Sequence, residues 1–412
     1  MLTLHLSLSD QVRADERVTY FAFGDSITFG SGDAAGHTYP QAIALAKGLT
    51  LKNYAESGDA IDSYSVYFFR HVLPGPAANP LVTGLIGTND ADRHAAGSAY
   101  ETRIFRPGVL ATLAWAAIPS TDKVYGASHG CTQSGWSLEN PNYASFYNID
   151  RAFSYGNNTG SAGARVTCAI RVSAAGVLYA WVRGGSAGTY SYSVDGGAPV
   201  AAAIAGPPNG YFLVADLIRI RGLSPGRHTF TLIAGSASLG FAGVGTVPPQ
   251  TDLGCCRIVQ GGVPYQKYDA ATPTAAMSVA GTNLLTFAAA PRIIAPPAET
   301  ERTMIEDLTD PRAIAAGTFA TNATATTLGL SARLARTVNA DDVIGIARHG
   351  DTAAFNADVQ GAVATLRGDG LTDIAFADVR RYVNPTSDMA NQLHPSQIGV
   401  AHLTRAFLAV LP

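Results

Sequence analysis

The stretch Phe21-Ala22-Phe23-Gly24-Asp25-Ser26-Ile27-Thr28 decides how the chain is read. Val18 to Phe23 is apolar, β-branched and aromatic, with the length of a buried strand. It runs straight into Gly24-Asp25-Ser26. A serine placed where a buried strand breaks into a turn is held exposed and rigid, as a nucleophile requires. The same tripeptide is also ordinary turn chemistry, so the segments that follow must decide between the two.

Outward from this stretch, Tyr39 to Leu49 predicts a helix with Pro40 in its tolerated first turn. Leu49 to Ala55 predicts a second strand, ending at Glu56-Ser57-Gly58-Asp59. A helix is expected from about Ala60 to Val72. Leu81 to Ile86 reads as a third buried strand, ending at Gly87-Thr88-Asn89-Asp90, and a further helix covers about Pro107 to Ala117. Strands alternating with helices predict a parallel α/β sheet that binds ligands at the carboxyl ends of its strands. All three polar turns lie at such ends.

From about Thr121 the texture changes. Short alternating runs begin, at Ala164–Arg171, Gly176–Arg183, Gly188–Asp195, Phe212–Arg221 and Gly226–Ala234, with Gly- and Ser-rich turns between them. Evenly spaced short strands predict a β-sandwich or jelly roll. This inserted domain is placed at 121–254, between a first part of the α/β domain at 1–120 and a second part at 255–412. Residues 268–327 are rich in Ala, Thr and Pro and have no assigned role beyond covering part of the site. Ala353 to Leu366 predicts a helix, Ile374 to Val379 a last strand, and Ser396 to Val410 a final amphipathic helix.

Composition limits the function classes. The chain has 412 residues, 47% of them hydrophobic and 14% charged, with net charge -3. No basic stretch points to nucleic acid and no polybasic run to a membrane surface. No apolar run has the length of a transmembrane helix, and Met1 to Asp10 alternates rather than forming a signal peptide. The low charge and the 43 glycines fit a β-rich protein of an extracellular or periplasmic kind. The four cysteines, Cys131, Cys168, Cys255 and Cys256, contain no C-x-x-C pair, which argues against a zinc site. Both disulfides and buried thiols fit them. The sequence leaves the oligomeric state open.

Four separated motifs fall in one order: Gly24-Asp25-Ser26, then Gly58, then Gly87-Thr88-Asn89-Asp90, then His394-Pro395 before the last helix. In this the chain resembles the SGNH (GDSL-type) hydrolases over roughly residues 18–120 and 255–412. The resemblance implies a three-layer α/β/α parallel sheet, here interrupted by the jelly-roll-like sandwich. It also implies a serine esterase in which Ser26 is the nucleophile and His394 the base. The backbone N–H groups of Ser26 and Gly58, with the Asn89 side-chain amide, form the implied oxyanion hole. Such chemistry uses no metal and no cofactor.

One position departs from the family pattern. The residue three before the histidine is Asn391, where the family carries Asp. Three groups are open as the partner that orients His394: Asn391, Asp388, or a backbone carbonyl.

The family resemblance covers several substrate classes. The inserted sandwich favours a carbohydrate O-acetyl esterase acting on an acylated small molecule or polysaccharide. A lipase or acyl-thioesterase is the alternative, as is a non-catalytic carbohydrate-binding or adhesion protein with a decayed hydrolase core. Trp136, among Gly, Ser and Asn, is the expected exposed ring for stacking on a sugar. Tyr179 and Trp181 share one face of a strand and are expected to fill the sandwich core. Arg348-His349-Gly350-Asp351 is similar to the phosphate motif of histidine phosphatases, but lies late in the chain and has no second catalytic segment.

Overall fold

The computed structural model describes residues 19–31, 37–65, 80–94, 96–125, 131–138, 156–157, 162–207, 214–237, 239–248, 257–264, 275–288, 304–315, 318–324, 326–347, 352–383, 388–390 and 394–411. Among them, the opening stretch forms strand β1, Thr19–Gly24, followed by the one-turn helix α1, Ser26–Phe29. β1 pairs in parallel with β2, Thr50–Asn53, and with β3, Leu81–Leu85. β3 pairs with β4, Ile258–Gly261, and β4 with β5, Ile374–Ala377, also in parallel. The order across this sheet is β2-β1-β3-β4-β5.

Alternation along β1 sends its side chains to two different cores. Tyr20 and Ala22 pack with α2, Tyr39–Lys47, and α6, Gln397–Leu408. Phe23 packs on the other face, with α4, Arg106–Ala117, and α5, Thr352–Gly368. A short helix α3, Thr88–Arg93, follows β3. Each large apolar side chain buried in this way contributes about 1.5–3 kcal/mol.

The expectation of a chain built as a three-layer α/β/α protein needs correction. Most strands of the molecule lie outside the parallel sheet, in antiparallel sheets. Among the described residues the fold is predominantly β, and the helices are few. The physical reason is the amount of chain that cannot form helices: glycine turns and short Ala/Thr runs fill the long middle of the sequence.

Two antiparallel sheets face each other between residues 123 and 246. One runs in the order Val200–Ile204, Gly188–Val194, Gly226–Ala234, Arg165–Val172, Cys131–Ser134. The other runs Val214–Ile220, Leu178–Gly184, Leu239–Thr246, Lys123–Tyr125. Val166, Cys168, Leu178, Val182, Phe230, Leu232 and Phe241 fill the space between them. Cys131 and Cys168, cross-strand partners, form a disulfide. Cys255 and Cys256 lie outside the described residues.

Two aromatic expectations change. Trp136 is only 8% exposed and packs in the sandwich core, so its ring offers no open face to a sugar. Tyr179 and Trp181 are buried, but not between the sheets. Strand Leu178–Gly184 is buried on both faces. Its even-numbered residues face the sandwich core, and Tyr179 and Trp181 face α4. Trp181 meets Trp115 edge-on at 4.9 Å, and its Nε1–H donates to the Ala111 carbonyl at 3.0 Å. The sandwich therefore shares a core with the parallel-sheet region.

A buried carboxylate strengthens that junction. Asp369, just past α5, accepts from the Tyr179 hydroxyl at 2.5 Å, from Arg221 Nε at 2.6 Å, and from Arg219. Its side chain has 0% exposure.

Residues 275–347 contain a small all-β unit. Leu284–Thr286, Thr327–Leu330 and Ala320–Ala323 form one sheet, and Met304–Asp307 pairs with Ile344–Ala347. It has its own core of Leu285, Phe287, Ile305, Leu328, Leu330 and Ile344. Among the described residues, no helix is long and apolar enough to cross a membrane. The phosphatase-like residues 348–351 lie outside the described residues.

Removing the carboxylate at the junction tests the coupling. Asp369→Ala leaves two guanidinium groups without their shared partner and is expected to cost about 3 kcal/mol of stability in chemical denaturation. Stability within about 0.5 kcal/mol of the parent, the range for neutral surface changes, would show that the junction is not held this way.

Candidate functional site

Ser26 is the first residue of α1, at the carboxyl end of β1. Asp25 caps this helix: its Oδ1 accepts from the Ile27 N–H at 2.9 Å. Asp25 is fully buried, and that burial pushes its carboxyl up to about 6, against the lowering effect of its hydrogen bonds. The cap fixes the turn, and the turn fixes Ser26. Ser26 is itself 7% exposed.

His394 reaches Ser26 from the far end of the chain. Its Nε2 lies 2.9 Å from Ser26 Oγ, across 368 residues of sequence. The segment that carries it is tightly tied. Ala390 N–H donates to the His394 carbonyl at 2.9 Å, and Ser396 N–H to the Asp388 carbonyl at 2.6 Å. The Ser396 hydroxyl also donates to that carbonyl, at 2.8 Å, and accepts from Gly399 N–H as the cap of α6. Any side chain at position 399 would collide with the Asp388 carbonyl, so glycine is required there. Partial burial holds the His394 imidazole below its ordinary value of 6.5.

Asp388 is 1% exposed, and its Oδ2 lies 2.5 Å from Nδ1 of His402 on α6. Among the described residues, this carboxylate therefore braces the segment against α6. Asn391 lies outside the described residues.

The oxyanion candidates surround the same corner. Gly58, in the exposed turn after β2, has φ +89°, a left-handed conformation that glycine adopts without strain. Asn89, in the first turn of α3, is 9% exposed and donates one Nδ2 hydrogen to the Asp59 carbonyl at 2.8 Å. That bond fixes the amide plane and ties the two loops together, leaving the second hydrogen for another acceptor. Asp90 adds a further tie, accepting at Oδ1 from Ile61 N–H at 2.9 Å and the Tyr100 hydroxyl at 2.7 Å. Burial pushes both Asp59 and Asp90 up to about 7.

Phe29 was not singled out from the sequence. It is 55% exposed and stands three residues after Ser26 on α1, which puts the two side chains on one face about 5–6 Å apart. Ile398, in the first turn of α6 and four residues after His394, is 59% exposed. The only signal in the sequence was an apolar residue within one turn of each catalytic candidate. Such residues are normally assigned to a core.

A general base must be neutral to accept a proton. The lowered His394 value keeps the ring neutral to lower pH, so any reaction in which this ring serves as general base should rise with pH through a midpoint below 6.5. A kcat/KM profile whose acid limb has its midpoint at or above 6.5 would contradict that assignment.

No protein-family model matches the chain, and no curated protein matches it. Solved structures similar to it include CBM35 from Cellvibrio japonicus Abf62, at 14% identity, covering 31% of this chain and 94% of that one, with a TM-score of 0.25. Another is a family two carbohydrate esterase from Clostridium thermocellum in complex with cellohexaose, at 12% identity, 35% and 42% coverage and TM-score 0.21. A third is an exo-beta-1,3-galactanase from Phanerochaete chrysosporium, at 16% identity, 30% and 27% coverage and TM-score 0.20. All three are carbohydrate-binding or carbohydrate-active proteins by name. Likenesses this slight carry no weight for the function of this chain.

Proposed function

We propose that the chain is a serine esterase of the kind the SGNH hydrolases represent, acting on carbohydrate O-acetyl groups. The observation that carries this reading is the 2.9 Å contact between Ser26 Oγ and His394 Nε2 at the carboxyl end of the parallel sheet. Ser26 O–H donates to Nε2. As Oγ attacks the ester carbonyl, Nε2 takes the proton, and the carbonyl π electrons move onto oxygen. The Ser26 and Gly58 N–H groups and the second Asn89 Nδ2 hydrogen receive that oxyanion. On collapse, His394 returns the proton to the departing alcohol. Water then repeats the sequence on the acyl-enzyme and releases the acid.

The sugar acetate as substrate rests on the family resemblance, in which inserted sandwiches accompany carbohydrate-active members. The exposed Phe29 ring beside Ser26 fits the same substrate, because a pyranose presents C–H groups that stack on an aromatic face.

Asn391 is the proposed partner of His394 Nδ1. The support is its place three residues before the histidine, where the SGNH hydrolases carry the orienting acid; Asp388, whose Oδ2 meets His402 and whose Oδ1 is a second acceptor, is the alternative. An amide oxygen holds the tautomer but lacks the charge that stabilises imidazolium.

Ser26→Ala should reduce acetate release from acetylated xylan and p-nitrophenyl acetate to background, and Asn89→Ala should lower kcat by about 10²–10³. Retained turnover in Ser26→Ala would overturn the assignment. A preference for p-nitrophenyl octanoate over the acetate would replace the sugar acetate with a lipid ester. For the orienting partner, Asn391→Ala should cost more in kcat than Asp388→Asn. The opposite order would give the role to Asp388.

A further inference from the structure

The turn that carries Gly58 is gripped from one side by α3. Asn89 and Arg93 stand four residues apart on that helix, so their side chains share a face. Asn89 Nδ2 donates to the Asp59 carbonyl at 2.8 Å, and Arg93 Nη2 donates to the Gly58 carbonyl at 3.2 Å. Between them, Asp90 Oδ1 accepts from Ile61 N–H at 2.9 Å. Asn89 and Asp90 are buried, and Arg93 is exposed. Water would satisfy an exposed guanidinium equally well, yet this one donates to a backbone carbonyl of the turn.

The backbone of the turn shows what that bond does. Glu56 N–H donates to the Gly24 carbonyl at 3.1 Å, which anchors the entry to the end of β1. Asp59 N–H donates to the Glu56 carbonyl at 3.3 Å, which closes a β-turn over residues 56–59. Gly58 is the third residue of the turn, and its φ of +89° is that of a type II turn. The closing bond is long, the tip of the turn is exposed, and glycine is the least restricted residue there is. Among the described residues, the Gly58 N–H donates to no acceptor that would fix its direction. The peptide unit that follows it is fixed instead. Its N–H side reaches the Glu56 carbonyl and its C=O side receives Arg93. Without Arg93, that unit hangs on the 3.3 Å bond alone.

We propose that Arg93 is a positioning residue for the oxyanion hole: it acts not on the ester but by holding the Gly58–Asp59 peptide, so that the Gly58 N–H stays aimed at the developing oxyanion. The role rests on the esterase reading. A donor that is misdirected loses part of what a deleted donor loses, so the effect is smaller than that of Asn89→Ala. Acylation and deacylation both pass through an oxyanion in the same hole. Both steps therefore slow together, which lowers kcat and leaves KM in place.

The test compares the full chain with its Arg93→Ala variant in p-nitrophenyl acetate hydrolysis and in inhibition by an alkyl trifluoromethyl ketone. Ser26 Oγ adds to the ketone carbon, the π pair moves onto oxygen and the Ser26 proton moves to His394, which leaves an oxyanion in the hole. Arg93→Ala should lower kcat by about tenfold with KM unchanged, and raise the ketone Ki by about the same factor. Its thermal unfolding midpoint should match the parent's, because the side chain is exposed. An unchanged kcat, or a raised KM with kcat unchanged, would overturn this role alone, since turnover that Ser26→Ala abolishes still upholds the esterase. A lowered kcat with an unchanged ketone Ki would place the loss outside the hole and overturn it as well. A parent protein with no turnover that depends on Ser26 would overturn the esterase reading and this role together.

Discussion

Everything proposed for this molecule depends on one contact between its two ends, Ser26 Oγ against His394 Nε2. Neither side chain is positioned by its own neighbours alone. Ser26 is set by a buried strand, a capped turn and the fully buried Asp25. His394 is set by a segment strapped to α6 through the Asp388 carbonyl, the Asp388–His402 pair and the glycine at 399. Tyr39 of α2 stacks on Phe407 of α6 at 4.7 Å, so the helices behind the two residues are held to each other as well. A pair within hydrogen-bond distance is only useful if such supports keep it from drifting, because positioning accounts for much of what an active site does.

The long middle of the chain has to be accommodated without disturbing that contact. It leaves the parallel sheet after α4 and returns at β4, and the sandwich it forms is docked onto α4 through Trp181 and onto the end of α5 through Asp369. α4 and α5 pack against the same face of the sheet that receives Phe23. The sandwich thus braces the helices that support β1. The small β unit leaves after β4 and returns at α5. Its strand Met304–Asp307 is tied to Arg380, in the turn after β5, through Glu306. The small β unit is therefore the excursion that buttresses the carboxyl edge of the sheet, while the sandwich holds the helices on one of its faces.

Much of the parallel region was legible because its signals are local. Buried strands such as Phe21–Phe23 and Leu81–Leu85 read as apolar runs, and each ends at a polar turn. The sandwich strands with strict alternation, such as Gly226–Ala234, were equally plain. Leu239–Thr246 was not, since Gly240, Gly243 and Gly245 make it read as a loop. Yet Gly245 is needed there, as an added Cβ would come 2.8 Å from the Trp181 ring. The balance of the whole chain was misjudged toward α/β, because the strands of three or four residues in 275–347 are too short to show a period. Trp136 was misplaced because small polar neighbours in sequence say nothing of the sandwich core residues that bury it. At the site, residue identities were readable, but the pairing of Asp388 with His402 was not. It depends on how α6 packs, which is a tertiary matter.

The most direct test of the central claim is the intact mass of the protein after treatment with a serine-directed alkyl phosphonate, followed by peptide mapping. One adduct, on the peptide that carries Ser26, and none in protein carrying His394→Ala on the same timescale, is the result expected of a serine activated by that imidazole. An adduct on another residue, or equal labelling with and without His394, would contradict it.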